Sequence, residues 1–211
     1  MSNQFYLRDT RSNTGSSCMF WAKGGCGYTT NLEQAEVFNQ EQAQKYADEK
    51  RHFIPLWKDV VDKLATIRVD MQYLKLSTDF SDGVVIQRWC GQYDGNDIYF
   101  HGKDGKPTAN YSDALVFTNL EDVLAIDVGS AAVLSKAFLD TICRPTLQAE
   151  NVNHRTMMTS AGIKYKAPRK KGPTTGKTRG NCPECGKITW DYNPYENAYC
   201  SDHEYSWQRA G

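Results

Sequence analysis

Short apolar and aromatic runs, each bounded by polar or glycine-containing turns, punctuate the first 150 residues: "FYLRD" at 5–9, "MFWA" at 19–22, "VVIQR" at 84–88 and "IYFH" at 98–101. Runs of this length between turn residues read as β-strands. Each pair of runs leads through a glycine turn, "KGGCG" at 23–27 or "KDGK" at 103–106, toward a helix entrance. Asn39 stands before "QEQAQKYADEK" with Gln42 three residues on, and Thr118 stands before "NLEDVLAI" with Glu121 three on. In that arrangement side chains satisfy the N–H groups left without partners at a helix start. A second helix is expected in each half, near 56–66 and 130–142, where Val133, Ala137, Leu139 and Ile142 recur at helical spacing.

The two halves echo each other. Sliding the sequence on itself by 79 residues lays 19–38 on 98–117 without a gap: Thr29/Thr108, Asn31/Asn110, Ala35/Ala114, Val37/Val116 and Phe38/Phe117 are identical, and Phe20/Tyr99 and Trp21/Phe100 are both aromatic. The pattern predicts an α+β fold of duplicated β-β-α-α units, 1–79 and 80–155, that form one body and share a core, since one such unit is too small to bury its own apolar face. Composition then shifts. Residues 156–180, rich in Lys, Arg, Pro, Gly and Thr, read as a basic linker, and 181–211 regain cysteine and aromatic content as a small zinc ribbon.

Charge sharpens this division. The formal net charge is zero, yet 155–180 hold eight basic residues and no acidic one, 181–211 hold five acidic and two basic, and the first 154 residues carry a net charge of minus five. An acidic body, a basic strap and a mildly acidic tail follow one another. No apolar run approaches the roughly 18 residues of a membrane span, and the start lacks the apolar core of a signal peptide, so a cytoplasmic setting without a membrane partner is expected.

Of seven cysteines, Cys18, Cys26, Cys90 and Cys143 are scattered, whereas Cys182, Cys185 and Cys200 cluster. That suits a reduced compartment with one metal site better than a disulfide framework. Cys182-x2-Cys185 followed by Cys200-x2-His203 places four ligands as two close pairs, each able to grip a metal from a tight turn; Pro183 and Gly186 suit the first turn. One structural zinc ion with all four positions filled by protein is expected, folding a segment too short to fold alone. Over about 25 residues the pattern resembles a zinc ribbon, departing from it at the last ligand, where His203 replaces the more usual cysteine and Asp202 and Glu204 are the substitutes at hand.

The strap residues Lys164, Lys166, Arg169, Lys170, Lys171, Lys177 and Arg179 suit neutralisation of phosphates along a nucleic acid, or else an electrostatic clasp across the acidic body. Trp190, Tyr192, Tyr195, Tyr199, Tyr205 and Trp207 offer rings for stacking on bases, although for any one of them a place in the small core of the module is the expectation. "KGPTTGKT" at 171–178 imitates a nucleotide-binding loop but has its first glycine one residue too close and no strand before it. Elsewhere no acid–base or nucleophile constellation assembles. Cys26 reads as a turn residue, His101 as a surface strand residue matched to Ala22, and Trp21, Tyr28, Tyr99 and Phe100 as core more than groove.

"FYLRDTRSNTG" and "GGCGYTTNLEQAEVFNQEQA" resemble segments of small accessory proteins encoded by tailed bacteriophages and related mobile elements, in which a strand and an aromatic residue precede a GYTT-L--AE-F motif and a short helix. The likeness covers about the first fifty residues, with a fainter echo at 84–123, and brings no catalytic residue with it. It implies a protein made in a bacterial host cytoplasm that redirects host machinery or blocks host defence by stoichiometric binding. The leading expectation is a non-catalytic protein that binds a host nucleoprotein or nucleic acid through strap and ribbon. A protein–protein inhibitor of host defence acting through the acidic body is the alternative, and a nucleic-acid-processing enzyme the third.

Overall fold

A computed structural model describes residues 3–49, 52–75, 77, 79–126, 131–164, 176–192 and 199–203. The chain divides into two compact units, Met1–Lys166 and Ala167–Gly211. The architecture is mixed α+β with more strand than helix. No helix among the described residues is long and apolar enough to cross a membrane.

The first unit contains two five-stranded sheets, one after the other in the chain. The first is built from β1 (Gln4–Thr14), β2 (Ser17–Trp21), β3 (Tyr28–Thr29), β4 (Val37–Asn39) and, after helix α1 (Gln40–Asp48), β5 (Phe53–Trp57); α2 (Lys58–Lys63) and β6 (Thr66–Arg68) follow. The second is built from β7 (Val84–Asp94), β8 (Asp97–His101), β9 (Pro107–Thr108), β10 (Val116–Phe117) and, after α3 (Leu120–Leu124), β11 (Ala131–Ser135); α4 (Lys136–Ile142) and β12 (Arg144–Thr146) follow.

Registers recur between the sheets. Tyr6 of β1 pairs with both Val37 and Leu56, and Val85 of β7 with both Val116 and Leu134, so β5 and β11 occupy the edge of the long strand opposite to β4 and β10. Both long strands bulge, between Asp9 and Asn13 and between Arg88 and Tyr93. Phe20 pairs with Thr29 and Phe100 with Thr108, which matches Phe20 to Phe100 and Trp21 to His101. The ungapped alignment is therefore one residue out before the glycine turn, because the second turn is one residue shorter. Closing that gap aligns Lys23 with Lys103, and both do the same work: their Nζ atoms donate to Glu33 O and Ser112 O at 2.7 and 2.8 Å.

Three expectations about elements are corrected. The helices foreseen at 56–66 and 130–142 begin only at Lys58 and Lys136, after strands that pair with β1 and β7; a short apolar run reads as helix or buried strand alike until its partner is known. The cap of α3 is Asn119, whose side chain accepts from Asp122 N, not Thr118; the Asn39 and Gln42 capping box is present as expected.

The halves do not share one core. Phe5, Tyr6, Phe20, Leu56 and Val61 centre one cluster, and Val85, Ile98, Phe100 and Leu139 another. Each is completed by the tail of the other half. After β6, Val69 enters the second cluster, with Ile98 N donating to Val69 O (3.1 Å) and Met71 N to Asn96 O (2.8 Å). After β12, Leu147 enters the first, with Cys18 N donating to Leu147 O and Ala149 N to Ser16 O, both 2.8 Å. Between them β6 and β12 pair antiparallel, Ile67 opposite Pro145. Met157, Met158, Ala161 and Ile163 also lie in the first core, so the expected linker at 156–180 is packed body up to Ile163. The side-chain amide of Gln44 on α1 then clamps the main chain of Lys164, its Oε1 accepting from Lys164 N at 2.8 Å and its Nε2 donating to Lys164 O at 3.2 Å.

Candidate metal centre and nucleic-acid interface

In the second unit, β13 (Thr178–Asn181) and β14 (Ile188–Asp191) form an antiparallel hairpin whose connection carries the first cysteine pair. Cys182 N donates to Lys187 O and Gly186 N to Cys182 O, both 2.8 Å, folding the connection into a knuckle; Gly186 takes the left-handed backbone (φ 74°) that a side chain disfavours. The second pair sits on a turn closed by His203 N donating to Cys200 O at 2.8 Å. The turns are tied by an ion pair of 2.5 Å between Lys187 and Asp202, which engages the carboxylate named above as a substitute ligand; Glu204 lies outside the described residues.

All four ligand atoms fall within 4.8 Å of one another. Cys185 Sγ lies 3.6 Å from Cys200 Sγ, and His203 Nδ1 lies 3.3 Å from Cys200 Sγ and 3.9 Å from Cys182 Sγ. A tetrahedron with metal–sulfur bonds of about 2.3 Å has edges of about 3.8 Å, so these separations fit one ion held by three thiolates and an imidazole. The electrostatics favour the ligating thiolate at Cys182 and Cys200 but not at Cys185, where the Lys187 N–H lowers the thiol and desolvation with the neighbouring Cys200 and Cys182 raises it further than that. Desolvation raises the Cys182 thiol, but the N–H groups of Cys200, Cys185 and Glu184 outweigh it and bring the thiol down to about 6. The imidazole of His203 lowers the Cys200 thiol and is itself raised by it.

Of the strap residues, Lys164, Lys177 and Arg179 are described, while Lys166, Arg169, Lys170 and Lys171 lie outside the described residues. Lys164 is the last described residue of the first unit, and Arg179 stands exposed on β13. The expectation of core positions for the tail aromatics is corrected for two of them: Trp190 is 58% exposed and Tyr192 69%. The residue that faces inward on β14 is Thr189, close above Gly180, where an added Cβ would come within 3.3 Å of its hydroxyl. Tyr195, Tyr205 and Trp207 lie outside the described residues.

In the first unit, Cys26 is exposed in its turn with Sγ 3.8 Å from Gly24 O, and burial raises the thiols of Cys18 and Cys143, which disfavours the nucleophilic thiolate. His101 is buried, not on the surface, because it follows Phe100 to the end of β8; its Nδ1 lies 3.3 Å from Arg88 Nη1. Phe100 is core, Trp21 packs edge-on to Phe38, Tyr46 and Phe53, and Tyr99 packs on Trp89, so these aromatics line no common groove. Tyr28 borders a polar cleft of about 500 Å³ together with Asn31, Glu33, Asp70, Tyr73 and Arg144.

No sequence reading anticipated the buried charges where the halves cross. Arg144 bonds Asp70 at 3.1 Å, and its Nη2 lies 2.8 Å from Asp97 Oδ1, an ion pair not aligned as a hydrogen bond; Arg68 pairs with Asp94 at 3.1 Å. Ser16 donates to Asp94, and its hydroxyl lies 2.5 Å from Gln148 Oε1. Burial pushes the Asp97 carboxyl up to about 6 against the opposing pull of Arg144 and Arg68. The only trace in the sequence is a charge set inside each short run, "IRVD" and "RPTLQ", which surface strands show as well.

Fold and site together define a mixed α+β body followed by a separate hairpin unit built on a Cys3His cluster. No protein-family model, curated protein or solved structure matches the chain.

Proposed function

We propose that this chain is a non-catalytic binding protein that contacts nucleic acid or a nucleoprotein through its basic strap and its hairpin unit, while the α+β body engages a protein partner. The observation that carries the reading is the placement of the Cys182, Cys185, Cys200 and His203 cluster directly behind β13, so that the metal-gripping knuckle shapes the strand on which the strap ends. The metal is one zinc ion, by the softness of three thiolates and an imidazole; with every coordination position held by protein, it supplies folding energy and leaves no place for a substrate. Eight basic residues without an acidic one between 155 and 180 favour phosphate contact over a neutral tether. The recurrent registers of the two sheets support descent of the body from one duplicated unit in which a fifth strand separates the two helices. In this reading the protein is a tailed-phage accessory factor acting in the host cytoplasm.

Elemental analysis of protein purified without chelators tests the metal, with one zinc per chain expected. Titration with DNA and RNA oligonucleotides at rising salt tests the contact: affinity falls steeply with salt if the strap neutralises phosphates, and absence of binding at low salt refutes the reading.

A further inference from the structure

The hairpin of the second unit carries a second, finer pattern. In β13 and β14, Arg179 lies directly opposite Trp190, and Asn181 opposite Ile188. Directly opposite residues of an antiparallel pair project to the same face, and so do residues two apart on one strand. Trp190 and Ile188 therefore share one face with Arg179 and Asn181, while Lys177 and Tyr192 stand one residue beyond the paired strands, two positions on from Arg179 and Trp190. Lys177 closes the row, with Nζ 5.2 Å from the centroid of the Tyr192 ring. Gly176 backs that same ring: an added Cβ would sit 3.6 Å from it. The opposite face holds Thr189, which is buried. A hairpin with an ordinary core would show the reverse, polar side chains outside and rings inside. Here Ile188, Trp190 and Tyr192 are each more than half exposed.

We infer that this face is a stacking platform for the unpaired bases of a single-stranded nucleic acid. Cations alternate with rings across the hairpin, so phosphates and bases of one strand meet complementary groups at the same time. Spacing separates single strand from duplex. Side chains two apart on a strand stand about 6.8 Å apart, twice the rise of about 3.4 Å per nucleotide in one strand of a duplex. Stacked, paired bases cannot seat on both Trp190 and Tyr192, whereas an extended strand with splayed bases can. The row also continues from the strap, so the charge that draws a strand in leads onto the rings. The inference rests on the proposed nucleic-acid contact, and the experiment keeps the two apart.

The test uses the full zinc-loaded chain with a fluorescent oligothymidylate and a duplex of equal length, followed by anisotropy at several salt concentrations. The wild type is expected to prefer the single strand. Trp190→Ala should weaken single-strand binding about tenfold with an unchanged salt slope, because a ring but no charge is removed. Trp190→Phe should keep most of the affinity. Arg179→Gln should lower the slope by about one for either ligand. One zinc per chain in each variant shows that the unit is intact. Equal losses on single strand and duplex, or binding untouched by Trp190→Ala, would overturn the platform while salt-dependent binding upheld the strap. Wild-type protein that binds neither ligand at low salt would remove both.

Discussion

Asp97 shows at the level of one side chain what the crossing of the halves costs. Its carboxyl is buried, faces Arg144, Arg68, Asp70 and Ser17, and has its pKa raised from the ordinary 3.8 to about 6. A raised carboxyl binds its proton more tightly in the folded chain than in the unfolded one. Its contribution to stability therefore grows as pH falls through 6, levels off below about 4, and amounts to about 3 kcal/mol. His101 and His154, both lowered by burial, act in the opposite sense, so the quantity to compare is the difference between wild type and Asp97→Asn. Urea unfolding should find the variant at least as stable as wild type at pH 7.5, with the difference vanishing toward pH 4. Arg144→Met should instead cost about 3 kcal/mol at neutral pH, since it strands Asp70 without its cation. This network was illegible in the sequence because each member is an ordinary charged residue until the other half of the chain surrounds it.

Among the elements, the clearest constraints sit at turns and caps. The tips of the β1–β2 and β7–β8 hairpins meet at two glycines: a Cβ on Gly15 would fall 2.4 Å from Gly95 N and 2.3 Å from Asp94 Oδ1, and one on Gly95 would fall 2.5 Å from Gly15 N. Both glycines have positive φ, 58° and 68°. Gly15→Ala is expected to lower stability by about 2–4 kcal/mol in thermal or urea unfolding, through backbone strain and overpacking together. Asn39→Ala, which removes half of the α1 capping box, should cost only about 1 kcal/mol. The cap was legible because its partners are three residues apart. The close approach of the glycines was not, since they are 80 residues apart and nothing local distinguishes them from other turn glycines.

For the molecule as a whole, the division into Met1–Lys166 and Ala167–Gly211 implies two separate responses. On the proposed zinc reading, adding a chelator to the full chain should expose 176–192 and 199–203 to protease while the thermal transition of the body stays in place. A chain ending at Arg155 should behave differently: removing Met157, Met158, Ala161 and Ile163 strips fully packed side chains from the first core, with a loss of several kcal/mol and a lower melting temperature of the body.

What the sequence determined by itself is whatever depends on neighbours along the chain: short strands between turns, the capping box at Asn39, the two-by-two spacing of Cys182, Cys185, Cys200 and His203, and the run of cations before them. These rest on local hydrogen bonding, ligand reach and charge density, which a few consecutive residues fix. The tertiary structure decided which apolar runs became β5 and β11, that each half lends its tail to the core of the other, and that Trp190 and Tyr192 stand outside their hairpin. In each case the outcome turns on which distant surface covers a side chain, and burial is a property of the folded whole.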